Sequence, residues 1–341
     1  MEKNMDKAIV TGAAGFIGFH LSKYLLERGY QVLGVDALTD YYDVKLKEKR
    51  LSILKEFNNF SFSKEKIENK SKVSQTICDY NPNVIIHLAA QAGVRYSLEN
   101  PQAYLDSNIT GTFNILEAAK RIKCNHLLMA STSSVYGANE IMPFDETQKA
   151  DTPLTFYAAT KKANEVMAHS YAHLWKIPIT MLRFFTVYGP WGRPDLALFK
   201  FTKAMLNNEP IDIYNHGNMF RDFTYVDDLV HSIFLLIKSA PKESLLKTDV
   251  IQEPLSEVAP FQILNIGNSN KTKLMDFVEA IEKKLNIKAN KNFLPMQKGD
   301  VPATWADCNR LQELIGFKPN TTVEQGISEF VDWYLEYYNQ Q

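Results

Sequence analysis

Cysteine is scarce in this 341-residue chain, and net charge is almost absent. Cys78, Cys124 and Cys308 lie far apart, in odd number and in no metal-ligand spacing. That argues against a disulfide framework or a cysteine metal centre, and reads as packing thiols in a reducing compartment. No metal is expected. A formal net charge of −1 gives no basic field for nucleic acid or for an anionic membrane surface. An anionic ligand must therefore be held by local arginines. No apolar run approaches the ~20 residues that span a bilayer. A strand-like run starts almost at the N-terminus, where no signal peptide fits, so a soluble cytoplasmic protein is expected. Internal repeats and low-complexity tracts are missing too. The 45% hydrophobic content suffices for a large core, with a smaller second lobe expected.

What is present begins with Thr11-Gly12-Ala13-Ala14-Gly15-Phe16-Ile17-Gly18. The apolar run Lys7–Val10 precedes it. Phe19–Arg28 follows, with Leu21, Leu25 and Leu26 at helical spacing and Gly29 just beyond. This reads as strand, tight turn and helix, then a second strand Gln31–Val35 ending at Asp36. Gly12 lets the chain turn sharply, Gly15 lets a pyrophosphate approach the backbone, and Gly18 lets the helix pack closely on the sheet. The positive end of the helix faces the phosphates. Asp36, 24 residues beyond Gly12, can accept hydrogen bonds from both adenosine ribose hydroxyls and would repel a 2′-phosphate, which favours NAD over NADP. Alone, the glycine triplet also fits an ordinary strand–turn–helix corner.

Strand and helix signals then alternate. Lys45–Phe57 reads as a heavily charged helix with a solvated face, after the loop Asp40-Tyr41-Tyr42-Asp43. Phe60–Phe62 alternates like a strand, and Ser71–Tyr80 is a short helix. Asn83–Leu88 is a buried-type strand that ends in the small residues Ala89 and Ala90, which leave room for a ligand. Pro101 opens a long helix. His126–Ala130 is a central strand that runs into Ser131-Thr132-Ser133-Ser134, and Phe156–Trp175 is a helix followed by the strand Pro178–Arg183. This order predicts an α/β fold, a doubly wound parallel sheet of Rossmann type with helices on both faces. The chain divides at about residue 183: residues 1–183 bind a dinucleotide, and residues 184–341 form mainly a smaller α/β substrate-binding lobe, interleaved with the first. Ser239–Pro260, polar with three prolines, reads as a surface insertion, and Ile263–Gly267 re-enters the fold as a strand. The last helix, about Thr322–Tyr338, turns Ile327, Phe330, Val331, Tyr334 and Tyr338 to one face.

Tyr157-Ala158-Ala159-Thr160-Lys161 places a phenol and an ammonium one turn apart on a helix. A free tyrosine, with pKa about 10, is a poor base at neutral pH. A nearby ammonium and a positive nicotinamide ring both favour phenolate. Thr132, Ser133 and Ser134 sit past the end of a parallel strand, where a hydroxyl can share a hydrogen bond with Tyr157 and a substrate oxygen. Alone, Tyr157 and Lys161 also fit a helix with one residue in the core and one in water, and the hydroxyls fit a helix cap.

Together these segments resemble the nucleotide-sugar epimerases and dehydratases of the extended short-chain dehydrogenase/reductase superfamily, over nearly the whole chain. Thr11–Gly18, His87–Gln91, Ser131–Gly137, Tyr157–Lys161, Tyr188–Arg193 and Arg221–Asp228 carry the likeness. The resemblance implies that bound NAD takes a hydride from a sugar carbon and returns it to the other face of the keto intermediate. It makes Tyr157 the base, Lys161 its tuning partner and Thr132 the bridge to the sugar oxygen. It assigns Gly12, Gly15, Phe16, Ile17, Gly18, Asp36, Ile67, Leu88, Ala89, Ala90, Asn108, Tyr157 and Lys161 to NAD. Lys66 stands where relatives carry an aspartate against the adenine, while Ile67 keeps an apolar wall. Dimerisation through two helices of each subunit, here Ala103–Lys120 and Phe156–His173, is also implied.

Sugar 4,6-dehydratases carry Asp-Glu after the catalytic threonine, and UDP-glucuronate decarboxylases carry Glu at the place of Ser134. Ser133-Ser134 offers no acid, so elimination lacks its general acid and base, and epimerisation at C4 remains. Arg183-Phe184-Phe185-Thr186, Gln91–Ser97 and Gly189–Asp195 resemble the UDP-glucuronate 4-epimerases. Ser133, Ser134 and Thr186 would then hold the carboxylate of the β-keto acid, away from the geometry that loses carbon dioxide. Arg193 and Arg221 are candidates for the UDP diphosphate and Asp300 for a ribose, while Arg95 faces either the sugar or a dimer contact. The alternatives are a UDP-glucose or UDP-N-acetylglucosamine 4-epimerase, or a UDP-glucuronate decarboxylase. Outside that class stand a redox-sensing Rossmann protein without catalysis and an oxidoreductase with exchangeable NAD.

Overall fold

The computed structural model describes residues 6–242 and 256–339. Its centre is one seven-stranded sheet. Six strands come from residues 7–184: β1 Lys7–Thr11, β2 Gln31–Asp36, β3 Phe60–Lys64, β4 Val84–His87, β5 His126–Thr132 and β6 Ile179–Phe184. The seventh, Phe261–Ile266, pairs with β6. Across the sheet the order is Phe261–Ile266, β6, β5, β4, β1, β2, β3, with every pairing parallel. Strands β2 and β3 are added on one side of β1 and β4 onward on the other, so the groove at the carboxyl ends of β1 and β4 is the place for a ligand.

The strands read as continuous apolar runs because both faces are covered. Side chains alternate between two cores. Ala8, Val10, Ile86, Leu128 and Leu182 enter one core with α1, Phe16–Glu27, and the helix Val226–Ile237. Ile9, Ile85, Leu127, Met129 and Met181 enter the other. That second face carries α3, Lys70–Tyr80, α6, Thr112–Ile122, and α7, Phe156–Trp175. Each fully buried Leu or Ile contributes roughly 1.5–3 kcal/mol, so the sheet is a rigid platform. A third core, around Phe199, Phe223, Phe277, Phe330 and Tyr334, closes the second lobe. Within the last helix, Val323–Asn339, Ile327, Phe330, Val331 and Tyr334 are buried, as the pattern expects.

Three expectations need correction. The helix after β2, α2 Val44–Leu54, is not simply solvated: Lys47 and Arg50 are buried with Leu46, Leu51 and Leu54. The long helix opened by Pro101 is not one α-helix. After the single turn α4, Tyr96–Glu99, come α5, Pro101–Tyr104, then a π-helical segment Leu105–Gly111, then α6. The supposed insertion Ser239–Pro260 is packed at its far end. Residues 243–255 lie outside the described residues, but Ser256, Ala259 and Pro260 are buried. His169 bonds the Ser256 hydroxyl at 2.8 Å, and the Ile179 N–H donates to Pro260 O at 3.0 Å. No helix among the described residues is long and apolar enough to cross a membrane.

Candidate active site

The glycine turn leaves β1 in a form that non-glycine residues could not take. Gly12 has φ +74°, and a Cβ there would lie 2.9 Å from Ala89 N. A Cβ at Gly18 would lie 2.0 Å from Gly12 O, so Gly18 makes room for the turn itself more than for the sheet. The Leu88–Ala90 segment rests on this turn, and Thr11 Oγ1 accepts from both Leu88 N and Ala89 N at 3.1 Å. Helix α1 begins at Phe16 with no side-chain cap and no acidic residue in its first turn. Its first N–H groups therefore keep the free donors of every helix start, beside a cradle that any Cβ would fill. Asp36, at the end of β2, is oriented by two backbone donors, Ala14 N at 3.0 Å and Leu38 N at 2.8 Å. A carboxylate oriented by the backbone and a glycine cradle with free helix-start donors thus stand side by side, and these residues fit an NAD.

Beyond Asp36 the loop after β3 is mixed. Ile67 is buried against Gly111, whose Cβ would sit 2.5 Å from Ile67 Cδ1. Lys66 points to solvent, 3.9 Å from Glu68. Asn108 is fully buried in the π segment. Its amide accepts from Gln91 N at 2.8 Å and donates to Gln91 O and Thr160 Oγ1, each at 3.0 Å. It therefore fixes the loop after β4 to α7.

Thr155 caps α7 and sets its first turn, accepting from Ala158 N at 3.2 Å. Tyr157 and Lys161 follow on that turn and the next, over the end of β5. Lys161 Nζ donates to Ala130 O at 2.9 Å, and burial pulls its pKa down to about 8. Burial pushes the Tyr157 phenol up; the hydrogen-bonding Thr132 hydroxyl and the Arg193 charge oppose it. Thr132 also caps the turn Ser133–Tyr136, accepting from Ser134 N and donating to Ser134 Oγ, both at 3.2 Å. Capping and facing the phenol are therefore simultaneous. Ser133, Ser134 and Thr186 are half-buried. Thr186 opens the second-lobe strand Thr186–Tyr188, and its N–H donates to Asp222 O at 3.0 Å.

The second lobe brings Arg95, Arg221 and Asp300 together. Arg95 meets Asp300 at 3.3 Å and lies over the Tyr214 ring at 4.7 Å. The structure thus turns Arg95 toward the second lobe. Arg221 is half-buried, its charge opposed by desolvation and supported by Asp300. Arg193 is different: Asp195 already binds it through two hydrogen bonds, at 3.0 and 2.5 Å.

Several supporting residues escaped the sequence reading. His87 bridges Thr11 Oγ1 at 2.8 Å and Thr112 Oγ1 at 3.1 Å, held neutral by burial and by the Lys161 charge. Glu165, two turns after Tyr157, accepts from Arg183 Nε at 2.9 Å, Arg183 Nη2 at 2.8 Å and Ser131 Oγ at 2.7 Å. This pair ties α7 to β5 and β6 directly beneath Thr132. Arg50 had a visible signal, since it sits between Leu46 and Leu54 at spacings of four on the apolar stripe of α2.

A family model described as GDP-mannose 4,6 dehydratase matches residues 9–330. The chain belongs to the NAD-dependent epimerase/dehydratase family. Among curated members, it is 55% identical to "Protein CapI" of Staphylococcus aureus over 97% of this chain and 99% of that protein. It is 54% identical to a "Probable UDP-glucuronate 4-epimerase" of Rhizobium meliloti over 97% of each chain. Among solved members, a Bacillus cereus UDP-glucuronic acid 4-epimerase, in complex with UDP-glucuronic acid and NAD, superposes with TM-score 0.86 at 34% identity, covering 97% of this chain and 100% of that one. The matched span crosses both lobes, so the family includes the second-lobe strands as well as the glycine turn.

Proposed function

We propose that this chain catalyses NAD-dependent epimerisation at C4 of a UDP-sugar, converting UDP-glucuronate to UDP-galacturonate. One arrangement carries the reading: Tyr157 and Lys161 stand over Thr132 at the end of β5, and the two residues after Thr132 are serines. A base and a bridge are present where a proton must leave O4, and no carboxyl group follows Thr132 to drive elimination. Relatives and solved neighbours named as UDP-glucuronate 4-epimerases support the substrate.

Gly12, Gly15, Phe16, Ile17, Gly18, Asp36, Ile67, Leu88, Ala89 and Ala90 would hold the dinucleotide, with Asn108 bracing the loop beneath it and Lys161 at the nicotinamide ribose. Bound NAD supplies a hydride acceptor that gives back what it takes, so no net oxidant is consumed. Tyr157 takes the O4 proton as the carbinol becomes a carbonyl and restores it afterwards. The Lys161 ammonium favours the phenolate, and Thr132 keeps the sugar oxygen within reach of it. The keto sugar must turn over in between. Arg221, Arg95 and Asp300 secure the UDP end while it does; Arg193, already neutralised by Asp195, is the weaker diphosphate candidate. Ser133, Ser134 and Thr186 fix the carboxylate out of the plane-breaking geometry needed for decarboxylation. In this division of labour the chain up to about residue 183 activates the sugar, and the rest mainly grips the nucleotide. The exposed Leu105, Phe113 and Val166 on the helical stretch 101–122 and on α7 support a homodimer through those helices. The free, largely buried cysteines suit the cytoplasm.

Incubating the purified protein with UDP-glucuronate, UDP-galactose and UDP-N-acetylglucosamine, without added NAD, tests the reading. Conversion of UDP-glucuronate to its C4 epimer, resolved by NMR with no net NADH release, is expected. Turnover of a neutral sugar alone, or release of a pentose nucleotide, would replace it with one of the alternatives. Thr186→Ala is expected to raise released carbon dioxide, and no rise removes the restraining role.

A further inference from the structure

Arg50 is completely buried, and its hydrogen bonds go to neutral oxygens. Nη1 donates to Ala14 O at 3.0 Å and to the Tyr42 hydroxyl at 2.8 Å. Nη2 donates to Trp191 O at 2.5 Å and Gly192 O at 3.3 Å. Nε has no partner. A guanidinium so placed has lost its water without gaining a bonded carboxylate in return, an unfavourable exchange for a buried charge.

We propose that Arg50 is the latch that keeps the dinucleotide seated between the two halves of the reaction; this rests on the NAD-dependent reading above. Three segments that frame the dinucleotide groove meet on this one side chain. The first is the glycine turn. Its Ala14 peptide is held from both sides, because Ala14 N donates to Asp36 while Ala14 O accepts from Arg50. The second is the loop after β2. Tyr42 binds Arg50, and Tyr41 donates to Asp195 at 3.3 Å across the groove. The third is the second-lobe loop 189–193, which is itself anchored. His20 bonds Pro190 O at 2.8 Å, and the Trp191 ring packs 5.5 Å from Phe19 and 5.2 Å from Trp333. Breaking the Arg50 contacts removes the direct tie between the turn and this loop and leaves only the contacts through His20 and Phe19.

Charge makes the latch depend on its cargo. The cation lies beside the start of α1, where a pyrophosphate would sit, and the Lys47 ammonium, itself attracted by Asp36 and Asp40, adds to the positive charge there. An anion there supplies the attraction that the neutral oxygens do not. Binding therefore strengthens the latch, and by linkage the latch strengthens binding. An epimerase needs this more than a dehydrogenase does. If the reduced cofactor leaves before the hydride returns, the keto sugar is stranded.

The test measures release of NAD from the loaded protein, by displacement with excess fluorescent etheno-NAD, for the unaltered chain, Arg50→Met and Arg50→Lys. Arg50→Met is expected to release NAD at least tenfold faster. Arg50→Lys, which keeps the charge but loses the fork, is expected to fall between. Thermal unfolding of the NAD-free proteins is measured alongside. Release rates within twofold of the unaltered protein in both variants overturn the latch, whatever the unfolding midpoints do. Should Arg50→Met fail to fold, Arg50→Lys and Tyr42→Phe decide: faster release supports the latch, and unchanged release ends it. If the unaltered protein binds no NAD at all, the functional reading falls, and the latch with it.

Discussion

Tyr157 is a poor base on its own, and its surroundings in the protein make it poorer. Burial raises the phenol, so ionisation depends on the Thr132 hydroxyl and the Arg193 charge that oppose it. Removing the hydroxyl should expose that dependence. Tyr157→Phe is expected to lower kcat by 10²–10⁴-fold with little change in UDP binding, because general-base catalysis is typically of that size. Measured turnover close to that of the unaltered protein would end the assignment. Lys161 gives a second, pH-dependent expectation. Its pKa is pulled from 10.5 to about 8 by burial. An amine carries its charge below its pKa, so the ammonium proposed to favour phenolate is present below about pH 8 and lost above it. The kcat/KM of the loaded protein should therefore fall as pH rises beyond 8. In Lys161→Arg, whose guanidinium keeps its proton, this alkaline limb should vanish. A limb that stays at the same pH in that variant would assign it to another group.

At the scale of elements, periodicity carried α7 from sequence to structure with the same bounds, and it carried the sheet strands within a residue or two. It failed at α2. There the count of charges suggested water, while the position of Arg50 on the Leu46–Leu54 stripe meant burial. Charge identity is read locally, but a buried cation is decided by oxygens from distant segments, such as Trp191 O, and those are invisible to spacing. The same holds for Glu165 and Arg183, which lie in different elements and reveal their pairing only through the fold. Both side chains are 2% exposed. Breaking such a pair leaves one buried charge alone, at about 3–5 kcal/mol. Glu165→Ala should therefore lower unfolding stability by that amount in a denaturant titration. Because the pair sits beneath Thr132, kcat should also fall more than KM rises. A loss below about 1 kcal/mol would show that α7 is held by its apolar face alone.

For the whole molecule, the balance of charge conceals an uneven distribution. The total of −1 left no field for an anionic partner, yet the fold gathers Arg50 and Lys47 near the glycine turn and brings Arg95 and Arg221 to Asp300. The motifs around these arginines were legible in sequence. Which of them remains available was not, because Arg193 is satisfied by Asp195 and Arg221 is not paired so tightly. The two arginines should therefore respond differently to UDP. Arg221, half-buried beside Asp300, would gain a diphosphate as a second counter-charge, and truncating one partner of such a charged contact typically costs about 2–5 kcal/mol. Arg221→Met is thus expected to weaken UDP binding by at least about 30-fold in calorimetry, with a raised KM and a smaller change in kcat. Arg193→Met should weaken UDP binding much less, since it removes a charge that Asp195 already balances. It should act instead on Tyr157, whose ionisation the Arg193 charge assists, and so lower kcat at neutral pH. Equal losses of UDP affinity in the two variants would mean that Asp195 releases Arg193 when nucleotide arrives, and would restore Arg193 to the diphosphate.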